Sequence, residues 1–286
     1  MRYAMFFLAL FGAFCISTSL SAQNPRAELR NALTLHASFD SILDADFSAG
    51  DRRCYYKKGK ELIPATTNDE LEIHASGGKF GNGLVFTKKG NTRPIFLNDQ
   101  VLQFDKKDWN LTVSCWLKLN PDLDLEPGYC DPIQIVGDDL KKGFIFLEWS
   151  KNETPRFFRF AIRPLFPIWN PKNVQWDEIP FDQRPMVQLQ DAPFHRDTWT
   201  HVAFVLDHVN QGKTATGKLY LNGELRGEIK NWDLSIDWDP SQVQLVLGAS
   251  YVGKMDELSV FKKALSPLEI RELFQLPQGI KSLRTP

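Results

Sequence analysis

Residues 110–120 read NLTVSCWLKLN, and the alternation inside them decides the fold class. Leu111, Val113, Cys115, Leu117 and Leu119 take every second position, so an extended chain sets all five on one face. The same period recurs on both sides of this stretch. Leu33, Leu35, Ala37 and Phe39 alternate with Thr34, His36 and Ser38, and residues 199–207 (WTHVAFVLD) align Val202, Phe204 and Leu206. Strand patterns continue at 133–136, 144–149, 156–163, 243–247 and 255–261. Between 219 and 225 the pair Asn222-Gly223 marks a tight hairpin, because both residue types tolerate positive φ. Many short strands separated by turn signals predict an all-β, two-sheet antiparallel sandwich.

Helical period appears once, near the end. In residues 264–274 (ALSPLEIRELF) Ser266 is an N-cap, Pro267 fits the first helical position and Glu269 closes a capping box. Leu268, Leu273 and Phe274 are expected to face the sandwich. The polar stretch 40–60 reads as a surface loop.

The first 22 residues read as a secretory signal. Arg2 gives the positive start, Met5 to Ile16 is almost wholly apolar, and small residues lead to cleavage after Ala22. That apolar run is too short to cross a bilayer. The expected divisions are therefore signal 1–22, leader 23–31, sandwich domain 32–277 and tail 278–286, with a secreted, periplasmic or cell-surface destination. Lys and Arg number 34 against 35 Asp and Glu, without a basic block, so neither nucleic acid nor insertion of the mature chain into a membrane is expected. An oxidising compartment permits disulfides. Cys115 lies within a strand pattern, whereas Cys54 and Cys130 lie in polar sequence, so a Cys54–Cys130 bridge is predicted.

The ordered strings LHASFD, GKFGNGLVF, WNLTVSCWLKL, DTWTHVAFVLD, GKLYLNGEL and GKMDELSVFKKALSPLEIREL complete the pattern. Together they resemble the laminin G-like jelly-roll domains of bacterial exported proteins, within the concanavalin A-like lectin and glucanase superfamily. The resemblance implies stacked antiparallel sheets with the first and last strands adjacent. It also implies a structural calcium ion shared by Asp40, Asp256 and the Gly81 carbonyl.

Function is less constrained, because one fold serves many sites. Residues 157–181 carry Phe166, Trp169, Trp176 and Phe181 among Pro164, Pro167, Pro171 and Pro180. Prolines at that density prevent a long paired strand. Phe166 and Phe181 are expected to pin the loop down. Trp169 and Trp176, flanked by Arg163, Asp177 and Glu178, either join them or form a sugar-stacking platform. The acidic residues 122–132 would border the same place. Glucanases of the superfamily carry E-x-D-x-x-E, which is missing here, and no G-x-S-x-G, H-E-x-x-H or C-x-x-C string occurs. A lyase would need a Tyr or His base near cations, and Arg159, Arg163 and His201 are the residues to watch. The leading expectation is a non-catalytic module that binds a polysaccharide or glycoconjugate. Polysaccharide cleavage and adhesion to a surface protein are the alternatives.

Overall fold

A computed structural model describes residues 24–151 and 153–284, so the predicted signal lies outside the described residues. Two antiparallel sheets stack face to face as expected. In the first sheet the order is Glu224–Ile229, Thr216–Leu221, Thr200–Val209, Trp109–Lys118, Gly253–Phe261, Leu33–Ala37 and Phe47–Ser48. Gly83–Phe86 also pairs with Gly253–Phe261 and carries Leu71–His74 beyond it. Leu33–Ala37 lies against Gly253–Phe261, which joins the first long strand to the last.

The alternation that set the fold class points inward. Val202 pairs with Cys115, Phe204 with Val113 and Leu206 with Leu111, and all six belong to the core between the sheets. From the second sheet Phe160 stacks on Phe204 with ring centroids 5.1 Å apart. Each such buried aliphatic or aromatic side chain contributes about 1.5–3 kcal/mol, so this interface carries most of the stability. The predicted hairpin forms, with Asn222 at φ 51° and Gly223 at φ 80° joining Leu221 to Glu224.

Four segments show detail that the sequence pattern did not carry. Within the segment read as a leader, Pro25–Ala32 is an α-helix capped by the Asn24 side chain. It buries Leu29 and reaches the C-terminal elements through Arg26 to Glu272 at 2.5 Å and Arg30 Nε to the Leu283 carbonyl at 2.6 Å. The tail likewise contains Pro277–Ile280 and Lys281–Arg284, with Ile280 and Leu283 buried. Within the expected helix, Pro267–Phe274, the capping box is present. Leu268, however, is exposed and Ile270 takes its place, because Ile270 and Leu273 share the stripe that faces the sheet. Finally, the 40–60 stretch is not all loop: Tyr55–Lys58 turns at Gly59 (φ 63°) into Glu61–Pro64.

The predicted disulfide is also absent: Cys54, Cys115 and Cys130 are free and buried. Cys54 directly precedes Tyr55–Lys58 and Cys130 opens Cys130–Val136. In the second sheet Ile95–Leu97 and Gln244–Ala249 stand between those two strands. Three strand steps of about 4.8 Å leave the two residues roughly 14 Å apart, twice the reach of a disulfide.

Candidate ligand-binding face

The second sheet runs Met186–Leu189, Phe158–Arg163, Phe144–Trp149, Cys130–Val136, Gln244–Ala249, Ile95–Leu97, Tyr55–Lys58 and Glu61–Pro64. Ile133, Ile135, Ile145, Leu147, Phe160 and Ile162 face the core. Their alternates Gln134, Phe144, Phe146, Glu148, Arg159 and Arg163 therefore face outward. On the other side of the sandwich, the helices Pro25–Ala32 and Pro267–Phe274 pack on the first sheet around Val205, Tyr220 and Phe261. The outward face of the second sheet is thus where a ligand site has room to form.

Residues 164–184 occupy one half of that face. The Arg163 guanidinium lies 3.7 Å from the centroid of the Trp176 ring and 5.0 Å from those of Trp169 and Phe146. Trp169 and Trp176 meet edge to face at 5.4 Å, and Phe166 closes on Trp169 at 5.3 Å. Trp169 is only 8% exposed, so it is not a sugar platform; its faces are used by Arg163, Phe166 and Trp176. Trp176 is half-buried and also faces Arg184 at 4.8 Å. Phe181, expected to pin the loop, is exposed instead. Burial lowers Arg163 to about 10. Asp177 reaches sideways to the Tyr129 hydroxyl and Lys151, which hold its carboxyl below the usual carboxylate range. Glu178 accepts the Gln175 N–H and closes a single helical turn. Four of the five predicted binding residues therefore lie in the insertion and Arg163 ends the strand beneath it; three form an aromatic–cation cluster, and Asp177 and Glu178 tie down its surroundings.

Beside this cluster lies a buried polar group. Arg159 pairs with Glu148 at 3.2 Å and donates to Gln188 at 2.7 Å. Gln134 donates to Asp131 Oδ2 at 2.6 Å, while Asp131 Oδ1 has no partner. Burial pushes both the Asp131 and the Glu148 carboxyls upward. The constellation expected of a lyase is not assembled. His201 lies in the first sheet, between Trp116 and Phe274, with Ser114 Oγ 2.7 Å from its Nε2. Complete burial lowers His201 to about 3, and the whole sandwich separates it from Arg159 and Arg163.

The other half of the outward face is open. A groove of about 840 Å³ crosses it, within the range of small-molecule and glycan sites. Its floor is set by register: Gln134 pairs with Val246, and Val136 with Gln244. Tyr56, Lys57, Lys58 and Ile63 of the 55–64 hairpin form one wall with Arg93, and Leu140 and Phe144 stand opposite. None of the acidic residues 122–132 lines it. That segment borders the insertion instead, where the Tyr129 hydroxyl donates to Asp177, and Arg156 staples it by donating to the carbonyls of Glu126 (2.8 Å) and Gly128 (2.9 Å). Sequence reasoning missed the groove. The available signal was a lone glutamine at an outward position in each of two apolar strands, 133–136 and 244–249.

The residues expected to hold calcium do converge, on the loop 78–82. Asp40 Oδ1 accepts the Asn82 N–H at 2.8 Å. Asp256 Oδ2 accepts from the N–H groups of Lys79 (2.6 Å) and Phe80 (2.9 Å), and Oδ1 from Glu257 at 2.9 Å. Gly81 has φ 78°, and a β-carbon there would sit 2.2 Å from Asp40 Oδ1. Only glycine allows that approach. Asp256 is fully buried, and among the described residues no basic side chain reaches ion-pair distance of it. Burial accordingly pushes its carboxyl up to about 8. A cleft of about 470 Å³ beside Asp40 and Gly81 adds Asp46 and Glu257, with Lys281 and Arg284 across it. No cluster of three His, Cys, Asp or Glu placed to share one ion occurs among the described residues. The Gly81 carbonyl accepts the Gly78 N–H at 3.1 Å.

Comparison with known proteins agrees with this architecture. No curated protein matches the chain. Among solved structures, the receptor-binding domain of the botulinum neurotoxin C/D mosaic serotype superposes with a TM-score of 0.56 at 14% identity, covering 86% of this chain and 51% of that one. A structure of botulinum neurotoxin type C, which enters cells through interaction with two ganglioside molecules, gives 0.57 at 14% identity, covering 90% and 52%. Domain 4 of an extracellular arabinanase from Geobacillus stearothermophilus, with arabinotriose bound, gives 0.49 at 18% identity, covering 85% and 98%. The chain thus spans about half the length of the toxin chains it matches. A family model, Laminin_G_3, matches residues 89–271, from the loop before Ile95–Leu97 to the helix Pro267–Phe274. With the sheet order, the joined first and last strands and that match, the chain belongs to the laminin G-like group of the concanavalin A-like lectin and glucanase superfamily.

Proposed function

We propose that the protein is an exported, non-catalytic module that binds a polysaccharide or glycoconjugate in the groove on the outward face of its second sheet. The observation that carries this reading is the groove itself. Side-chain amides of Gln134 and Gln244 alternate with Val136 and Val246 along its floor. Such a checkerboard suits a sugar, whose hydroxyls need hydrogen bonds while its C–H faces need apolar contact. The toxin domains of the same fold include one that interacts with gangliosides, which lends the reading general support. A structural calcium ion at Asp40, Gly81 and Asp256 belongs to the same proposal. Its support is the buried Asp256 carboxyl, for which the ion would supply the missing positive charge.

The test is depletion of the protein by a panel of insoluble and soluble polysaccharides, with and without calcium. The same tubes are read for new reducing ends and for the ultraviolet absorbance of unsaturated uronates. Binding without products is expected. Products would overturn the non-catalytic reading, and failure to bind any glycan would transfer the groove to a protein partner.

A further inference from the structure

We propose that the groove selects acidic polysaccharides, polymers bearing carboxylate or sulfate groups, through Lys57, Lys58 and Arg93. The inference rests on the glycan-binding reading and specifies its ligand class. All charged residues lining the groove are basic: Lys57, Lys58 and Arg93 are present and no Asp or Glu is. This contrasts with a chain whose acids and bases are nearly balanced in number.

The three cations are also uncommitted. Several basic side chains elsewhere are paired with acids, as in Lys88–Asp69, Lys106–Asp237, Lys142–Asp138 and Arg159–Glu148. Among the described residues no acid lies within ion-pair distance of Lys57, Lys58 or Arg93. Glu61 stands opposite Lys58 across the hairpin turn and forms no pair with it. Arg93 is near enough to Asp131 to pull that carboxyl downward. Burial outweighs this effect and holds Asp131 above the usual carboxylate range, so Asp131 opposes the positive field weakly at neutral pH.

Placement completes the argument. Lys57 and Lys58 sit on a two-stranded hairpin at the sheet edge, and Arg93 follows Thr92, whose N–H is held by Glu70 at 2.8 Å. Positive charge carried along one wall, with Lys57 on the groove side of its strand and Lys58 at the open edge, can meet acidic groups while the sugar ring lies on Val136 and Val246. A concave, single-sign surface also concentrates oppositely charged ligands before contact.

The experiment uses the full chain with polygalacturonate, carrageenan and the carboxyl-reduced (neutral) form of the polygalacturonate, measured by affinity electrophoresis at several salt concentrations. Binding to at least one acidic polymer is expected, about tenfold tighter than to the neutral form and weakening as salt screens the charges. Carboxylate and sulfate recognition are separated by which of the two acidic polymers is held. Lys57→Gln, Lys58→Gln and Arg93→Gln should each weaken acidic binding about two- to fivefold, as exposed charge pairs do, and together at least about tenfold. Gln134→Ala should instead weaken acidic and neutral binding alike, which separates the floor from the charges. Equal affinity for acidic and neutral forms, or a folded triple variant that binds as the parent does, would overturn the charge selection and leave glycan binding standing. Binding of none of the three polymers, nor of any in the wider panel, would overturn both.

Discussion

Asp256 shows how much can turn on one carboxyl group. An aspartate in an unfolded chain releases its proton near pH 3.9. In the folded protein Asp256 keeps it up to about 8. Between those values the folded state binds the extra proton, so this group's stabilising contribution is complete below about pH 4 and is lost as pH rises through 8. We therefore expect metal-free protein to lose a few kcal/mol between pH 5 and 8, on the order set by a shift of this size. Asp256→Asn should flatten that slope, although not abolish it, because the buried Asp131 and Glu148 carboxyls act in the same direction. Melting curves across the range, in EDTA and in millimolar calcium, check both points. Calcium bound at Asp256 would favour the ionised form and remove the slope. Identical curves in EDTA and calcium at pH 8 would leave three amide hydrogens as the only partners of Asp256 and end the calcium proposal. Asp40, Gly81 and Asp256 were legible because each sits in a quotable string. That Gly81 matters through its absent β-carbon was not, since a close approach exists only once the loop has folded back on Asp40.

At the scale of elements, strands were easier to read than insertions. Period-two alternation has one physical meaning in a sandwich, and the 110–120 and 199–207 stretches obey it residue by residue. Aromatic rings among prolines have two, because the composition that covers a sheet also builds a sugar platform. The structure divides them by burial, and Trp169 goes to the cover. Trp169→Ala should therefore cost stability, about 3–5 kcal/mol for a buried aromatic, and release the Arg163 guanidinium beneath it. Trp176→Ala, at a half-buried position, should cost less. Neither should change glycan affinity in the folded protein by more than about twofold, because the groove floor lies on Cys130–Val136 and Gln244–Ala249 and the cluster meets the groove at the Phe144 wall, 5.6 Å from Arg163. Denaturant unfolding and the depletion assay, run on the same preparations, test this. A folded Trp169→Ala protein that had lost binding would restore the platform reading and displace the groove. The 55–64 hairpin was illegible for a related reason. Its exposed residues mix Lys57, Lys58 and Glu61 with Leu62 and Ile63, and its strands lack the apolar alternation that marks a half-buried edge.

At the scale of the whole molecule, the two sheets divide the work, and the cysteines reveal what holds them. Helices at both chain ends cover the first sheet, the insertion covers half of the second, and the groove takes what remains. A sandwich with so extensive a core does not depend on a covalent link across it. Cys54, Cys115 and Cys130 are packed as apolar side chains, and burial pushes the Cys54 thiol up to about 12 and the other two upward as well. A thiol so far from ionisation is a poor nucleophile, and a buried one meets no reagent. Alkylation without reductant should accordingly label none of the three in the native protein and all three in denaturant, as peptide mapping would read. The melting temperature should be the same with and without reductant. A bridge closing the 54–130 loop would contribute roughly 4 kcal/mol on the chain-entropy model, so reduction would lower melting by roughly 10 °C. A shift of that size, with Cys54 and Cys130 unlabelled in denaturant, would require their strands to lie side by side. It would thereby contradict the strand order on which the groove is built.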